Sequence, residues 1–178
     1  MRDVRREKIE SIIKSIDNFQ RRLVSKDERE KLTEVLRLEV SLMCLKSNYL
    51  ERRIQGIREL NQIIKNQRMY SANKNFTSQF LIEWMQNNGV FQILFDTKRT
   101  HLQLVQRTSD ILKLLLQENM LSQEHMDAFW SLAKSSDYKF EVYKIINECS
   151  FYFRQEHIDF FFKEIRLIPN EKLAIEEF

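Results

Sequence analysis

Apolar side chains in the first part of the chain recur every three or four residues, the spacing that places them on one face of an α-helix. The first such pattern runs from Val4 to Leu23. A second follows Ser25, which has the spacing of a capping box with Glu28, and is expected to end near Lys46. The third contains Gly56, a costly residue in a helix interior, which predicts the close approach of a neighbouring helix.

The helical periodicity is lost at residues 66–76, where Asn and Ser accumulate, and it resumes after Thr77. Thr77 or Ser78 is expected to cap the next helix, and a short helix is expected over Val90–Phe95. Residues 102–117 are apolar on most sides, as in a helix packed between neighbours. They predict one continuous helix at the centre of the core.

A five-residue motif occurs twice in the last third of the chain, at an offset of 32 residues. Gln123–Asp127 reads Gln-Glu-His-Met-Asp, and Gln155–Asp159 reads Gln-Glu-His-Ile-Asp. An offset of this size corresponds to one helix pair, and stacked helix pairs bury their apolar faces only against their neighbours. Pro169 is expected to end the last long helix and Asn170 to cap a short one.

These patterns predict an all-α fold of armadillo- or HEAT-like helix pairs that form a right-handed superhelix. With only 2 Gly and 1 Pro, the chain lacks the residues of hairpin turns and phosphate-binding loops, which argues against a β-sandwich, a Rossmann fold or a P-loop enzyme. Residues 1–70 are expected to form basic N-terminal helices, either the first layers of the array or a separate hairpin. Residues 71–178 are expected to form the helical-repeat core.

Basic charge is concentrated in the N-terminal part of the sequence. The formal net charge is only +3, but residues 1–75 hold 18 basic and 11 acidic side chains. Two basic groups are candidates for contact with a partner. They are Arg52, Arg53 and Arg58 on the third helix, and Lys98, Arg99, His101 and Arg107 around the turn before residues 102–117.

Nucleic acid is the less favoured partner for these groups. Glu51 and Glu59 are interleaved with the first group, and an ordinary solvated helix face that binds no partner of either kind would show the same pattern. Few aromatic side chains lie beside either group, and stacking on aromatic rings is how single-stranded nucleic acid is usually bound.

No pattern in the sequence points to a catalytic, cofactor or metal site. His125 and Asp127 are two residues apart, whereas metal ligands on one helix face are three or four residues apart. The acids of both motifs are explained by the first turn of a helix, where negative charge is favourable. An enzyme whose site is assembled from distant residues is the least favoured class.

Cys44 and Cys149 lie in apolar helical patterns, which is typical of core thiols in a reducing cytosol. The sequence also has no apolar run long enough to span a membrane. We therefore expect a cytoplasmic location, no membrane association and no cofactor.

The second half of the chain contains an ordered succession of helix signatures. They are Phe80–Met85, Val90–Phe95, His101–Arg107, Ile111–Leu115, and Leu121–Asp127 with Trp130. Over roughly residues 38–166 the chain resembles the armadillo-type helical repeat region of very large ubiquitin carboxyl-terminal hydrolases of the fat-facets type.

This resemblance implies a scaffold or partner-binding piece of a thiol-dependent deubiquitinase, which removes ubiquitin from protein substrates. The family's catalytic Cys and His boxes do not occur in this sequence, so hydrolase activity would belong to another part of a longer protein. The implied partner is a protein, either a ubiquitin-pathway substrate or an adaptor. The alternative is a free-standing helical adaptor that binds nucleic acid or an acidic partner through its basic N-terminal part.

Overall fold

A computed structural model describes residues 3–21, 23–69, 76–134 and 137–168, and the regular structure within these ranges is entirely helical. The all-α class predicted from the sequence is therefore confirmed. The α-helices are α1 Asp3–Gln20, α2 Lys26–Leu45, α3 Leu50–Met69, α4 Ser78–Asn87, α5 Val90–Phe95, α6 Leu102–Val105, α7 Ser109–Gln117, α8 Gln123–Ala133, α9 Lys139–Cys149 and α10 Gln155–Arg166. A 3₁₀ turn, Ser150–Tyr152, joins α9 to α10. The predicted roles of Pro169 and Asn170 lie outside the described residues.

Two predicted helix starts are confirmed by their caps. The Ser25 hydroxyl accepts a hydrogen bond from the Glu28 backbone N–H, and the Glu28 carboxylate accepts one from the Ser25 N–H at 3.2 Å. The Thr77 hydroxyl accepts from the N–H of Phe80 at 3.1 Å. Because the first N–H groups of a helix have no partner inside it, these side chains fix where α2 and α4 begin.

The helix α3 packs against α2 as its antiparallel neighbour, and Gly56 lies at their closest approach. A Cβ atom at Gly56 would lie 2.7 Å from the carbonyl oxygen of Ser41 and 2.9 Å from the backbone nitrogen of Leu45. Both distances are too short for a methyl group. The close approach predicted from this glycine is confirmed.

The helices stack in two rows that share one core. In one row, α3 lies against α6 and α7, and α7 lies against α9. In the other row, α5 lies against α8. Trp130 of α8 packs in turn on Phe161 of α10, with 6.0 Å between the ring centroids. The buried apolar residues form one cluster that extends from Leu38 in α2 to Phe161 in α10. This arrangement is a stack of helix pairs, as the 32-residue offset of the repeated motif predicts.

The prediction of one continuous helix over residues 102–117 is wrong. The chain forms α6 and α7 with a break at residues 106–108, although apolar side chains are buried on both sides of it. At the break, the Thr108 hydroxyl donates to the carbonyl oxygen of Val105 at 2.8 Å. The carbonyl oxygen of Arg107 accepts from the side-chain amide of Asn61 in α3, also at 2.8 Å. Hydrogen bonds from outside the helix thus satisfy the backbone where the helix stops.

The single apolar stripe of α1 is only partly buried. Ile13 is buried, whereas the side chains of Ile12, Phe19 and Leu23 are more than half exposed. The helix is held to α2 by ion pairs, Asp17 with Arg29 and Glu10 with Arg37, as well as by apolar contact.

Candidate partner-binding surface

The two basic groups predicted from the sequence meet where the turn between α2 and α3 approaches the turn between α5 and α6. Arg53 of the first group donates a hydrogen bond from Nη1 to the carbonyl oxygen of Arg99 in the second. Arg99 in turn donates from Nη2 to the Asn48 side-chain oxygen at 3.4 Å. We call this region the basic corner and define it as Asn48, Tyr49, Arg52, Arg53, Lys98 and Arg99.

Arg53 is the buried member of the basic corner. Its side chain is only 7% exposed, and its Nε–H has no hydrogen-bond partner among the described residues. Burial lowers the pKa of Arg53, and the positive charge of Arg99 lowers it further, while Asp96 acts in the opposite direction. The guanidinium of Arg53 therefore connects α3 to the α5–α6 turn but lies in surroundings that do not fully compensate its charge.

Arg52, Lys98 and Arg99 are the exposed cations of the basic corner. The Arg52 guanidinium lies 5.2 Å from the centre of the Tyr49 ring, and Tyr49 is itself 68% exposed. The turn that carries Lys98 is held by the side chain of Asp96, which accepts from the Lys98 N–H at 2.9 Å. Three cations thus project from two backbone turns of defined shape.

The other three predicted residues, Arg58, His101 and Arg107, do not belong to the basic corner. His101 is exposed at the start of α6, where its Nδ1 accepts from the Gln103 N–H at 3.2 Å and caps the helix. The side chain of Arg107 donates to the carbonyl oxygen of Gln103. Arg58 is exposed on α3 but lies about 120° around the helix axis from Arg52, given 100° per residue. The structure therefore does not place Arg58 or Arg107 in the basic corner.

Sequence reasoning missed Asn48 and Tyr49 as members of this surface. Tyr49 carried a usable signal, since an aromatic residue three positions before an arginine on a helix start can lie beneath its guanidinium. Asn48 carried no such signal, because its contact with Arg99 joins residues that are 51 positions apart.

Several other cations of residues 1–75 are held in ion pairs. Arg21 and Arg29 share Asp17, Arg37 pairs with Glu10, and Lys65 pairs with Asp110. The exposed cations of the basic corner differ from these residues in lying beside a buried arginine.

The repeated Gln-Glu-His-x-Asp motif forms the same helix start twice. In α8 the Nδ1 atom of His125 accepts from the Ser122 N–H at 3.2 Å, and in α10 that of His157 accepts from the Arg154 N–H at 3.0 Å. In each copy the Gln side chain also donates to the Asp four residues later, Gln123 to Asp127 and Gln155 to Asp159. The motif is a helix cap in which histidine occupies the third position of a capping box. Among the described residues, no group of three potential metal ligands comes together.

Both cysteine thiols are disfavoured as nucleophiles by their surroundings. Cys149 is buried as predicted, whereas Cys44 is only partly buried and the prediction of a core thiol is wrong there. Burial raises the pKa of Cys149 to about 11 and also raises the pKa of Cys44. A reactive cysteine needs a lowered pKa, because the thiolate is the attacking form.

In the described part of the chain, no helix combines the length and apolar character needed to cross a bilayer.

Comparison with known proteins identifies the family of this helical array. The family model of the UBP24/USP9X/USP9Y ARM repeat matches residues 31–171. The chain belongs to this ARM-repeat family. The match begins within α2 and extends beyond α10, so the basic corner and both histidine caps lie inside it, whereas α1 lies outside it.

The relatives that share this ARM repeat are ubiquitin carboxyl-terminal hydrolases. Human ubiquitin carboxyl-terminal hydrolase 9Y is 25% identical over 127 residues, which cover 67% of this chain and 5% of that protein. Mouse ubiquitin carboxyl-terminal hydrolase 9X is 23% identical over 160 residues, which cover 85% of this chain and 6% of that protein. The chain thus spans about a twentieth of the length of these relatives. No solved structure is significantly similar to it.

Proposed function

We propose that this chain is a non-catalytic, partner-binding segment of a ubiquitin-specific cysteine protease whose catalytic domain lies elsewhere in a longer protein. The family match over residues 31–171 carries the proposal, because the named relatives are ubiquitin carboxyl-terminal hydrolases and correspond to this chain over only a small part of their length. A stack of helix pairs supports such a role, since it presents a long rigid surface to other proteins.

The environment of the two thiols supports the non-catalytic part of the proposal. Cys149 is buried and its pKa is raised to about 11, which leaves very little thiolate at neutral pH. Both cysteines are free, which is compatible with a reducing compartment, and we propose a cytoplasmic location.

An antibody to this chain, applied to extract of its source cells, tests the proposal. The extract is first treated with a ubiquitin-based probe that traps active-site thiols, with a thiol-alkylated extract as the control. We expect the antibody to recognise a band far above 21.7 kDa. This band should gain the mass of the probe in the extract whose thiols are not alkylated, and should not gain it in the alkylated control. A band near 21.7 kDa that does not shift would replace the proposal with a free-standing helical adaptor.

A second experiment tests the absence of catalysis directly. The purified 178-residue chain is incubated with a fluorogenic ubiquitin conjugate, and no release of the fluorophore above buffer is expected. Hydrolysis that disappears in Cys44→Ala or Cys149→Ala would show that the chain is itself the enzyme.

A further inference from the structure

The basic corner contains a buried positive charge that the protein itself leaves poorly compensated. The hydrogen bond that Arg53 makes goes to a neutral carbonyl oxygen, that of Arg99, and its Nε–H is left without a partner. A buried guanidinium is costly unless an anion or a full set of acceptors surrounds it. The neighbouring Arg99 side chain adds positive charge at the same place. Asp96 offsets this charge only in part, so an incoming anion would be attracted here.

The exposed rim of the basic corner has the donors that such an anion needs. Arg52 and Arg99 carry planar guanidinium groups, which bind carboxylates through two parallel hydrogen bonds, and Lys98 adds a third exposed cation. Arg99 is held in place from both ends, because its carbonyl accepts from Arg53 and its side chain donates to Asn48. Because Arg99 is already held in place, it loses less conformational entropy when a ligand binds.

We propose that the basic corner binds an acidic segment of a protein partner, whose Asp or Glu carboxylates pair with Arg52, Lys98 and Arg99 and offset the buried charge of Arg53. The inference rests on the proposed function and names the chemistry of the partner that the segment recognises. Glu51 and Asp96 lie in the same two segments of the chain as these cations and lower the net positive charge there, which suits a short acidic stretch better than a highly charged polyanion.

The surroundings of the basic corner favour a peptide over nucleic acid. Binding to a nucleic-acid strand requires a row of cations along the phosphate backbone and aromatic rings on which bases stack. The basic residues Arg37 in α2 and Lys65 in α3 lie away from the corner along their helices and are paired with Glu10 and Asp110, so they do not extend the corner into a row of free cations. The ring of Tyr49 is already covered on one face by Arg52.

Fluorescence anisotropy with the full 178-residue chain tests the proposal. The probe is a fluorescein-labelled peptide of alternating Glu and Ser, and the matched control peptide has Gln in place of each Glu. A labelled single-stranded RNA of equal charge tests the other class of partner. We expect the Glu peptide to bind in low salt, the Gln peptide not to bind, and the affinity for the Glu peptide to fall as salt is raised.

Charge reversal at the rim locates the binding site. Arg52→Glu/Lys98→Glu exchanges two exposed cations and is expected to weaken binding of the Glu peptide about tenfold or more. The control variant Lys134→Glu/Lys163→Glu makes the same change in net charge at the end of α8 and on α10, and a change of less than about twofold in affinity is expected. Thermal unfolding followed by circular dichroism establishes that both variants remain folded.

Substitution of the buried Arg53 distinguishes binding of the peptide at the basic corner from non-specific electrostatic attraction to the whole chain. Arg53→Met removes the buried charge at similar volume, and we expect the remaining peptide affinity to fall about threefold to tenfold in a variant that still unfolds cooperatively. If Arg53→Met does not fold, the rim variant alone decides the matter.

Three results would overturn the proposal: no binding of the Glu peptide, equal losses in the rim and control variants, or RNA binding that depends on Arg52 and Lys98 while peptide binding does not. None of these results bears on the probe-labelled band described under the proposed function. Conversely, peptide binding by a chain whose only cellular form is near 21.7 kDa would leave the acidic-segment site standing and remove its link to a ubiquitin hydrolase.

Discussion

The hydroxyl of Ser41 in α2 donates a hydrogen bond to the backbone carbonyl oxygen of Gly56 in α3, with 2.7 Å between the two oxygens. Ser41 is 1% exposed, so the bond is shielded from water. It can form because Gly56 has no side chain, which allows the two helix backbones to approach each other closely. The α2–α3 pair supports Arg53 three residues before this glycine, so the position of the basic corner depends on the same contact.

Gly56→Ala is expected to lower the free energy of unfolding by about 1–2 kcal/mol. Alanine would gain about 1 kcal/mol in helix propensity, but its methyl group would collide with backbone atoms that cannot rotate away, and overpacking of this kind costs about 1–3 kcal/mol or more. Urea denaturation followed by circular dichroism measures the change. Gln62→Ala on the exposed side of α3 is the control and should stay within about 0.5 kcal/mol of the parent. A stabilised Gly56→Ala variant would contradict the close approach.

Asn61→Ala is expected to lower the free energy of unfolding by about 1–2 kcal/mol. The substitution removes the side-chain amide that donates to the Arg107 carbonyl oxygen at the break between α6 and α7. Asn87→Ala, the same change at an exposed position in α4, should have a much smaller effect. Equal effects at the two positions would mean that the break does not depend on Asn61.

Stability is expected to fall as the pH is lowered through the histidine range. Burial lowers the pKa of both His125 and His157 in the folded chain, against the opposing influence of the acids Glu124 and Glu156. In the unfolded chain the histidine pKa is about 6.5, so between this value and the lower pKa of the folded state the unfolded chain binds more protons. The free energy of unfolding therefore decreases as the pH falls through this range. Protonation would also remove the acceptor that caps α8 and α10.

The variant His125→Gln/His157→Gln tests the origin of this pH dependence. Glutamine is a natural residue at the third position of a capping box, so the caps can persist while the titrating groups are removed. We expect the free energy of unfolding to vary less between about pH 7.5 and about pH 5.5 than in the parent. An unchanged slope would assign the effect to other groups.

Cys149 is expected to react with a disulfide reagent far more slowly than a free thiol. With a pKa of about 11 rather than the usual 9.0, its thiolate population at neutral pH is about 100-fold smaller, and burial restricts access as well. Mass spectrometry of Cys44→Ser after timed exposure to the reagent measures this rate. Fast modification of the native protein would contradict a core position for Cys149.

Several helix starts could be read directly from the sequence because their causes are local. The capping pair Ser25 and Glu28 and the cap Thr77 act within three residues of themselves. Periodicity likewise predicted the short helix Val90–Phe95, and the repeated motif predicted two equivalent helix starts. The same local logic predicted that Cys149 is a buried thiol, since it lies on the apolar face of an amphipathic pattern.

The break at residues 106–108 could not be predicted in this way. The apolar pattern of residues 102–117 continues through it, and one of the groups that satisfies the broken backbone, Asn61, lies 46 positions earlier in the chain. The exposure of Ile12 and Phe19 could not be predicted either. An apolar stripe shows that a helix has an apolar face, but it does not show which neighbouring element covers that face.

Propensity, capping and periodicity act over a few residues, so the amino-acid sequence predicts that the chain forms helices, where most of them begin, and which two groups of basic residues are candidates for contact with a partner. Tertiary packing buries Arg53, brings its guanidinium to the backbone of Arg99, and leaves Arg58 and Arg107 elsewhere. Contacts such as these join positions about fifty residues apart, and they exist only once the packing of α3 against the following helices has brought the two turns together.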